Sequence, residues 1–124
     1  MISIVIPSYN QVEYLPDAIE SALSQSREAS TFEIIVVDDG STDGSTAVAE
    51  GYEKSYGLRV VHQVNKGLAS ARNTGIMNAL GEWVLPLDAD DILLEGCLSR
   101  IEERIKGEAP DIVGLSFRTF GLGS

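Results

Sequence analysis

Asp88, Asp90 and Asp91 crowd three carboxylates into four consecutive positions of the stretch Leu87-Asp-Ala-Asp-Asp-Ile92. Two unit charges about 4 Å apart repel by about 4 kcal/mol at an effective dielectric of about 20, so such a cluster gains from a bound counter-ion. A hard divalent cation, Mg²⁺ or Mn²⁺, suits oxygen donors and commonly shares its shell with substrate phosphate. If the chain is extended here, Asp88 and Asp90 point to one side, about 7 Å apart along the strand. The plain alternative is that Asp90 or Asp91 caps a helix beginning near Leu93, which accounts for one acid but not for three.

A second acidic group, Asp38-Asp39-Gly-Ser-Thr-Asp43, follows the apolar run Ile34–Val37. Asp39 in such a loop can accept hydrogen bonds from a ligand N–H, while Gly40 lets the backbone turn closely. An Asx turn with Asp43 as helix cap is the competing reading. The third group is Asn65-Lys-Gly-Leu-Ala-Ser-Ala-Arg-Asn-Thr-Gly75, in which Arg72 stands among small residues and can reach a cleft beside Asp39. A surface ion pair is the ordinary fate of a lone arginine. His62, the only histidine, reads as structural, because no serine or cysteine is placed with it for a nucleophilic triad.

The elements that must position these groups alternate. Ile2–Ile6, Phe32–Val37, Leu58–Val64, Glu82–Leu87 and Asp111–Phe117 read as strands, and Phe32–Val37 is apolar throughout, as a strand covered on both faces is. Between them, Glu13–Ser24 places Leu15, Ile19, Ala22 and Leu23 on one helical stripe. Ser45–Tyr56, Gly67–Leu80 (with Leu68, Ala71, Ile76 and Leu80 for packing) and Leu94–Ile105 are further helices. Pro86 removes one ladder hydrogen bond near the end of its strand. This order predicts an α/β fold, a doubly wound and mainly parallel sheet with helices on both faces. Ligands of such sheets sit outside the carboxyl ends of the strands, where Pro7–Asn10, Asp38–Asp43 and Asp88–Asp91 all fall.

The 124 residues suit one domain, and an apolar fraction of 44% supports a folded core. A net charge of −10 argues against nucleic acid or anionic lipid as a nonspecific partner. Cys97 is the only cysteine and lies among apolar helical residues, as an inert thiol does. No apolar run approaches the roughly 20 residues of a membrane span, and no leader pattern precedes Ile2, so a reducing, cytoplasmic location is expected, at most peripheral to the inner face of the membrane.

Taken in order, Ser3-Ile-Val-Ile-Pro-Ser-Tyr-Asn10, Glu13, Val36-Val-Asp-Asp-Gly-Ser-Thr-Asp43, Asn65-Lys-Gly67, Ala71-Arg-Asn-Thr-Gly75 and Leu87-Asp-Ala-Asp-Asp91 resemble the inverting glycosyltransferases of family 2, with the Rossmann-like fold called GT-A, from Ile2 to about Val113. The resemblance implies a nucleotide-diphospho-sugar donor, with a UDP-sugar as first expectation, and a glycan or lipid-linked acceptor. It implies that Pro7 and Tyr9 line the nucleotide pocket, with Tyr9 on the base, and that Glu13 belongs to it. Asp39 would accept from the base's imide N–H, Arg72 would contact base or phosphate, Asp88 would hold the ribose or help order the metal, and Asp90 would ligate the metal. The family's general base lies in the second half of the domain, and no residue here matches it, so residues 1–118 are expected to be a truncated, donor-binding part and 119–124 a tail. Glu95-Gly96 depart from the proline that often starts the helix after the acidic cluster. An exposed edge near Asp111–Phe117 would be open to homodimer pairing.

Two rivals stand beside this reading. One is a nucleotide-sugar-binding module without catalysis. The other is a phosphoryl-transfer receiver domain, whose acidic pair follows its first strand and which needs a lysine after its fifth. Here the pair follows the second strand, and Arg118 is the only basic residue near the fifth. A phosphatase of the haloacid-dehalogenase type fails on the first strand's Pro-Ser-Tyr-Asn ending, and a dinucleotide-binding domain lacks Gly-x-Gly-x-x-Gly.

Overall fold

The computed structural model describes residues 1–27 and 31–108. Four strands, β1 (Ile2–Ser8), β2 (Phe32–Asp38), β3 (Arg59–His62) and β4 (Trp83–Pro86), form a parallel sheet in the order β3-β2-β1-β4. Helices α1 (Leu15–Leu23), α2 (Ser45–Tyr56), α3 (Leu68–Asn78) and α4 (Cys97–Glu108) complete the described chain, with a short 3₁₀ turn at Ser24–Arg27. The expected fifth strand, Asp111–Phe117, and the tail lie outside the described residues. None of the described helices is long and apolar enough to cross a membrane.

The two central strands explain their own composition. Ile2, Ile4 and Ile6 of β1, with Ile34 and Val36 of β2, pack with α1 (Leu15, Ile19, Ala22), Ala49 of α2, and Leu98 and Ile101 of α4. The intervening Ile35 and Val37 face Ala71 of α3 on the opposite side. Helices therefore cover both faces, and every residue of β1 is buried. With α1 on one face and α3 on the other, the chain leaves β1 toward β2 in one direction and later crosses to β4 in the other. The carboxyl ends of β1 and β4 thus flank a topological switch point, where open α/β sheets bind ligands.

Three details differ from the expectation. Of the apolar residues expected to pack from this helix, only Ala71 is buried; Leu68 and Ile76 are exposed, as is Leu80, which lies beyond the end of α3. The helix packs instead through its small face, Ala71 and Gly75, four residues apart, which lets its backbone descend onto the sheet. Helix α4 begins at Cys97 rather than Leu94, because Gly96 holds a left-handed φ of 76° that no helical turn accommodates. Its start is served by Gln25, whose side-chain oxygen accepts the Leu98 N–H (3.0 Å) while its amide donates to the Leu94 carbonyl (3.1 Å). Finally, Pro86 costs the β1–β4 ladder nothing. The next N–H, Leu87's, reaches the Val5 carbonyl at 2.8 Å, so the N–H that Pro86 lacks would point away from β1.

Gly75 carries a direct test. A Cβ there would overlap Val5 Cγ1 and lie 3.3 Å from Val37 Cγ2. Replacing a mid-helix glycine by alanine gains up to about 1 kcal/mol of helix propensity, whereas overpacking a core costs about 1–3 kcal/mol. The overlap should win: Gly75→Ala is expected to lower the urea midpoint, and an unchanged or raised midpoint would refute this packing.

Candidate functional site

Asp39 follows the last residue of β2, and its N–H extends the ladder to the Ser8 carbonyl at 2.9 Å. The residue is 1% exposed. Its carboxylate is held by its own chain: Oδ1 accepts from Gln63 Nε2 (2.8 Å) and the Lys66 N–H (2.9 Å), and Oδ2 accepts from the Gly67 N–H (3.0 Å). Gly67 is the residue from which α3 starts, so a negative group meets the donor-rich amino end of that helix. The same pull shortens β3, expected to run to Val64: Gln63 still donates its N–H to the Asp38 carbonyl (3.0 Å), and the chain then turns onto Asp39. Gly40, at φ 76°, completes the fit, since a Cβ there would stand 2.9 Å from the Asn65 nitrogen.

Asp38 faces α2 instead. Oδ1 accepts the Ser41 N–H at 3.2 Å, and Oδ2 accepts the Thr46 hydroxyl and lies 3.4 Å from His62 Nδ1. Burial alone would push this carboxyl up, but the hydrogen bonds from Thr46 and Ser41 outweigh it and hold the pKa below the ordinary range. His62, 47% exposed, sits between Asp38 and Glu50, with each ring nitrogen 3.4 Å from a carboxylate oxygen, in keeping with its structural reading.

The β1–α1 loop is latched to the β2–α2 loop. Asn10, at φ 49°, donates its N–H to the Ser41 hydroxyl oxygen (3.0 Å) and accepts the Thr42 N–H on Oδ1 (2.7 Å). Asp43 accepts the Val12 N–H (3.0 Å) on one oxygen and the Ser45 N–H and hydroxyl on the other (3.0 and 2.6 Å). Its bond to Ser45 at the start of α2 is close to the capping role weighed from the sequence, although Gly44 is the cap residue itself. On this rim Tyr9 is 38% exposed and Glu13 is exposed, while Pro7 is buried and shapes the strand end from beneath.

The acidic cluster lies beyond β4, and the extended geometry expected for it does not occur. After Leu87 the chain forms a turn, closed by the Asp91 N–H on the Asp88 carbonyl (3.0 Å), with Ala89 fully buried as its anchor. The turn gathers what an extended strand would space out: one ligand oxygen from each of Asp88, Asp90 and Asp91 lies within 4.8 Å of the others, and all three residues are exposed. Partial burial, then the charges of Asp90 and Asp88, hold the Asp91 carboxyl above its ordinary value. Neither Asp90 nor Asp91 caps a helix, since α4 starts only at Cys97. The ion partner of Arg72 is Asp88. The arginine leans to it from α3, with Nη2 3.4 Å from Oδ1 and both side chains near half exposure.

Gln63 and Asn10 hold this rim together and were not singled out from the sequence, where a lone amide side chain carries no signal of partners many residues away. Cys97 is half-buried, and burial raises its thiol pKa, as an inert cysteine requires. A cavity of about 550 Å³ opens elsewhere, at the amino end of β2 among Phe32, Ile34, Tyr56 and Leu58, and includes none of the site residues named above.

Asp38 generates a pH prediction. Its folded pKa lies below the ordinary 3.8, so its contribution to stability is complete above that value and is lost as pH falls through it toward the folded pKa. Asp38→Asn should therefore flatten the acid side of a stability profile measured by urea unfolding between about pH 6 and about pH 3. Parallel profiles for the two proteins would contradict the assignment.

The comparisons with known proteins agree with this geometry. The family model described as glycosyl transferase family 2 matches residues 3–124. The uncharacterized glycosyltransferase EpsJ of Bacillus subtilis is 41% identical over 118 residues, 94% of this chain and 34% of that protein. Among solved structures, S. aureus TarS in complex with UDP-GlcNAc superposes with a TM-score of 0.80 at 29% identity, over 97% of this chain and 36% of the other. The mannosyltransferase PcManGT from Pyrobaculum calidifontis, in complex with GDP-Man and Mn²⁺, gives 0.75 at 26% identity, over 91% and 33%. The chain thus spans about a third of the length of each of these three proteins. On the family match, the strand order and the acidic rim together, this chain is a member of glycosyl transferase family 2.

Proposed function

We propose that this chain binds the nucleotide-diphospho-sugar donor of an inverting glycosyltransferase, with a UDP-sugar as the donor and a divalent cation, Mg²⁺ or Mn²⁺, between its diphosphate and the Asp88–Asp91 turn. The observation that carries the reading is convergence: Tyr9, Asp39, Arg72 and the three aspartates, drawn from three loops and a helix, share the rim at the switch point. The likeness to TarS, solved with UDP-GlcNAc, and to PcManGT, solved with GDP-Man and Mn²⁺, supports a donor of this class.

The residues fit a cation by their chemistry. Three hard oxygen donors within 4.8 Å of one another, exposed and short of positive partners, are what Mg²⁺ or Mn²⁺ accepts. Asp90 would be its direct ligand, and Asp88, already paired with Arg72, would order it or hold the ribose. A cation held there supplies Lewis-acid neutralisation of the charge that develops on the departing nucleoside diphosphate. The chain's own groups do the rest. Tyr9 offers a ring to the base and Pro7 shapes the strand end beneath it, while Asp39 accepts from the base edge. Arg72 is near enough to Asp88 to bring its positive charge to phosphate, and Glu13 closes the outer side of the pocket. An acceptor hydroxyl, from a glycan or a lipid-linked sugar, would attack the anomeric carbon from the face opposite the diphosphate, with proton removal by a general base. No residue of this chain is assigned that role. We place it, with acceptor recognition, in the portion of the longer relatives that this chain does not span.

The receiver-domain alternative loses its basis in the geometry. Its acidic pair would act together, whereas Asp38 and Asp39 turn to different helices and are engaged by different donors. A binding module without catalysis remains the second reading, and sugar-nucleotide hydrolysis distinguishes the two.

Isothermal titration with UDP, with and without Mn²⁺, tests the proposal. Affinity should depend on the metal, and Asp90→Ala should lose at least about tenfold, since charge-assisted contacts are worth about 1.5–3 kcal/mol. The thermal transition should be unchanged, because Asp90 is exposed. Metal-independent binding, or undiminished affinity in Asp90→Ala, would count against it.

A further inference from the structure

The Asp39 carboxylate offers about four lone-pair sites, and three are already taken by Gln63, Lys66 and Gly67. Two of those donors sit on Oδ1 and one on Oδ2, so a single acceptor position remains, on Oδ2. Two of the three are main-chain N–H groups, fixed by the turn into α3. The third is a side chain free to rotate unless something holds it.

Thr74 holds it. Its hydroxyl donates to Gln63 Oε1 at 2.7 Å, from the second turn of α3. A carboxylate only accepts, so the end of Gln63 that meets Asp39 must be the amide nitrogen, and the carbonyl end is left for Thr74. The relay Thr74–Gln63–Asp39 therefore has one consistent direction, and it keeps the second acceptor position of Oδ1 occupied.

We infer that Gln63 is a positioning residue that sets base preference: by occupying Oδ1 it leaves Asp39 one acceptor site, which accepts a ring imide N–H and refuses a ring nitrogen that is itself an acceptor. This rests on the proposed reading of Asp39 as the group that meets the base. Uracil presents the imide N–H; cytosine presents at that position a lone pair, with an amino group beside it. Asp39 is 1% exposed, so a mismatched base would leave desolvated acceptors facing each other, which is costly. Without Gln63 one lone pair of Oδ1 is free to receive the cytosine amino group while Lys66 and Gly67 keep their bonds, so the preference narrows.

The test is the ratio of UDP to CDP affinity, measured by titration in Mn²⁺ for the full chain and for Gln63→Leu and Thr74→Val, with thermal unfolding to verify the fold. The full chain should favour UDP, and Gln63→Leu should cut the ratio about tenfold, the worth of one hydrogen bond to a charged group. Thr74→Val, which leaves Gln63 in place but unheld, should cut it less, about threefold. Equal losses for UDP and CDP would show that Gln63 merely supports the loop, and an unchanged ratio in both variants would equally overturn the inference. If Gln63→Leu does not fold, Thr74→Val decides by the same criterion. A full chain without preference for UDP would sink the reading of Asp39 itself, before Gln63 enters.

Discussion

A buried carboxylate that accepts two consecutive main-chain N–H groups at the start of a helix is the constraint on which the rest of this rim depends. Asp39 is carried by β2, the N–H groups belong to Lys66 and Gly67, and the helix they open is α3. One side chain thereby joins the carboxyl end of the sheet to the helix on its far face. The charge is satisfied by donors that otherwise have no intrahelical partner, so burial of Asp39 and the exposed start of α3 offset each other. The position of Arg72 follows, because it stands on the second turn of α3. Once Gly67 is pinned and Gly75 lies against Val5 and Val37, the guanidinium is carried to Asp88.

The acidic turn after β4 is the opposite case. Its carboxylates are exposed, repel one another, and are gathered by a turn anchored on buried Ala89. Nothing in folding requires three negative groups there. In an already acidic chain, the cation proposed for this turn would relieve that repulsion. The two acidic motifs thus differ: Asp38, and Asp39 at three of its acceptor sites, are engaged by the protein's own donors, whereas the three acids of the Asp88–Asp91 turn stand exposed.

Much of the fold was legible because β1 and β2 are covered on both faces and must be apolar throughout, and because the stripe Leu15, Ile19, Ala22 has one helical solution. Residues 45–56 were bounded correctly from the sequence alone. What misled was α3, where the large apolar residues look like the packing face but Ala71 and Gly75 provide it; small residues give no hydrophobic signal, only close approach. The membership of the rim was legible too, since loops after parallel strands share one edge. Its wiring was not. The partners of Asp39 lie 24 to 28 residues away, and the turn at Asp88–Asp91 replaced an extended segment through a contact at Ala89 that no local pattern announces.

A crystal structure of the chain with uridine diphosphate and Mn²⁺ addresses the central claim most directly. The account predicts the metal on Asp90, the diphosphate beside it at the switch point, and the uracil imide N–H on Asp39 Oδ2 while Gln63, Lys66 and Gly67 keep their bonds. Nucleotide bound at the amino end of the sheet, or an Asp39 that must release the start of α3 to receive the base, would contradict it.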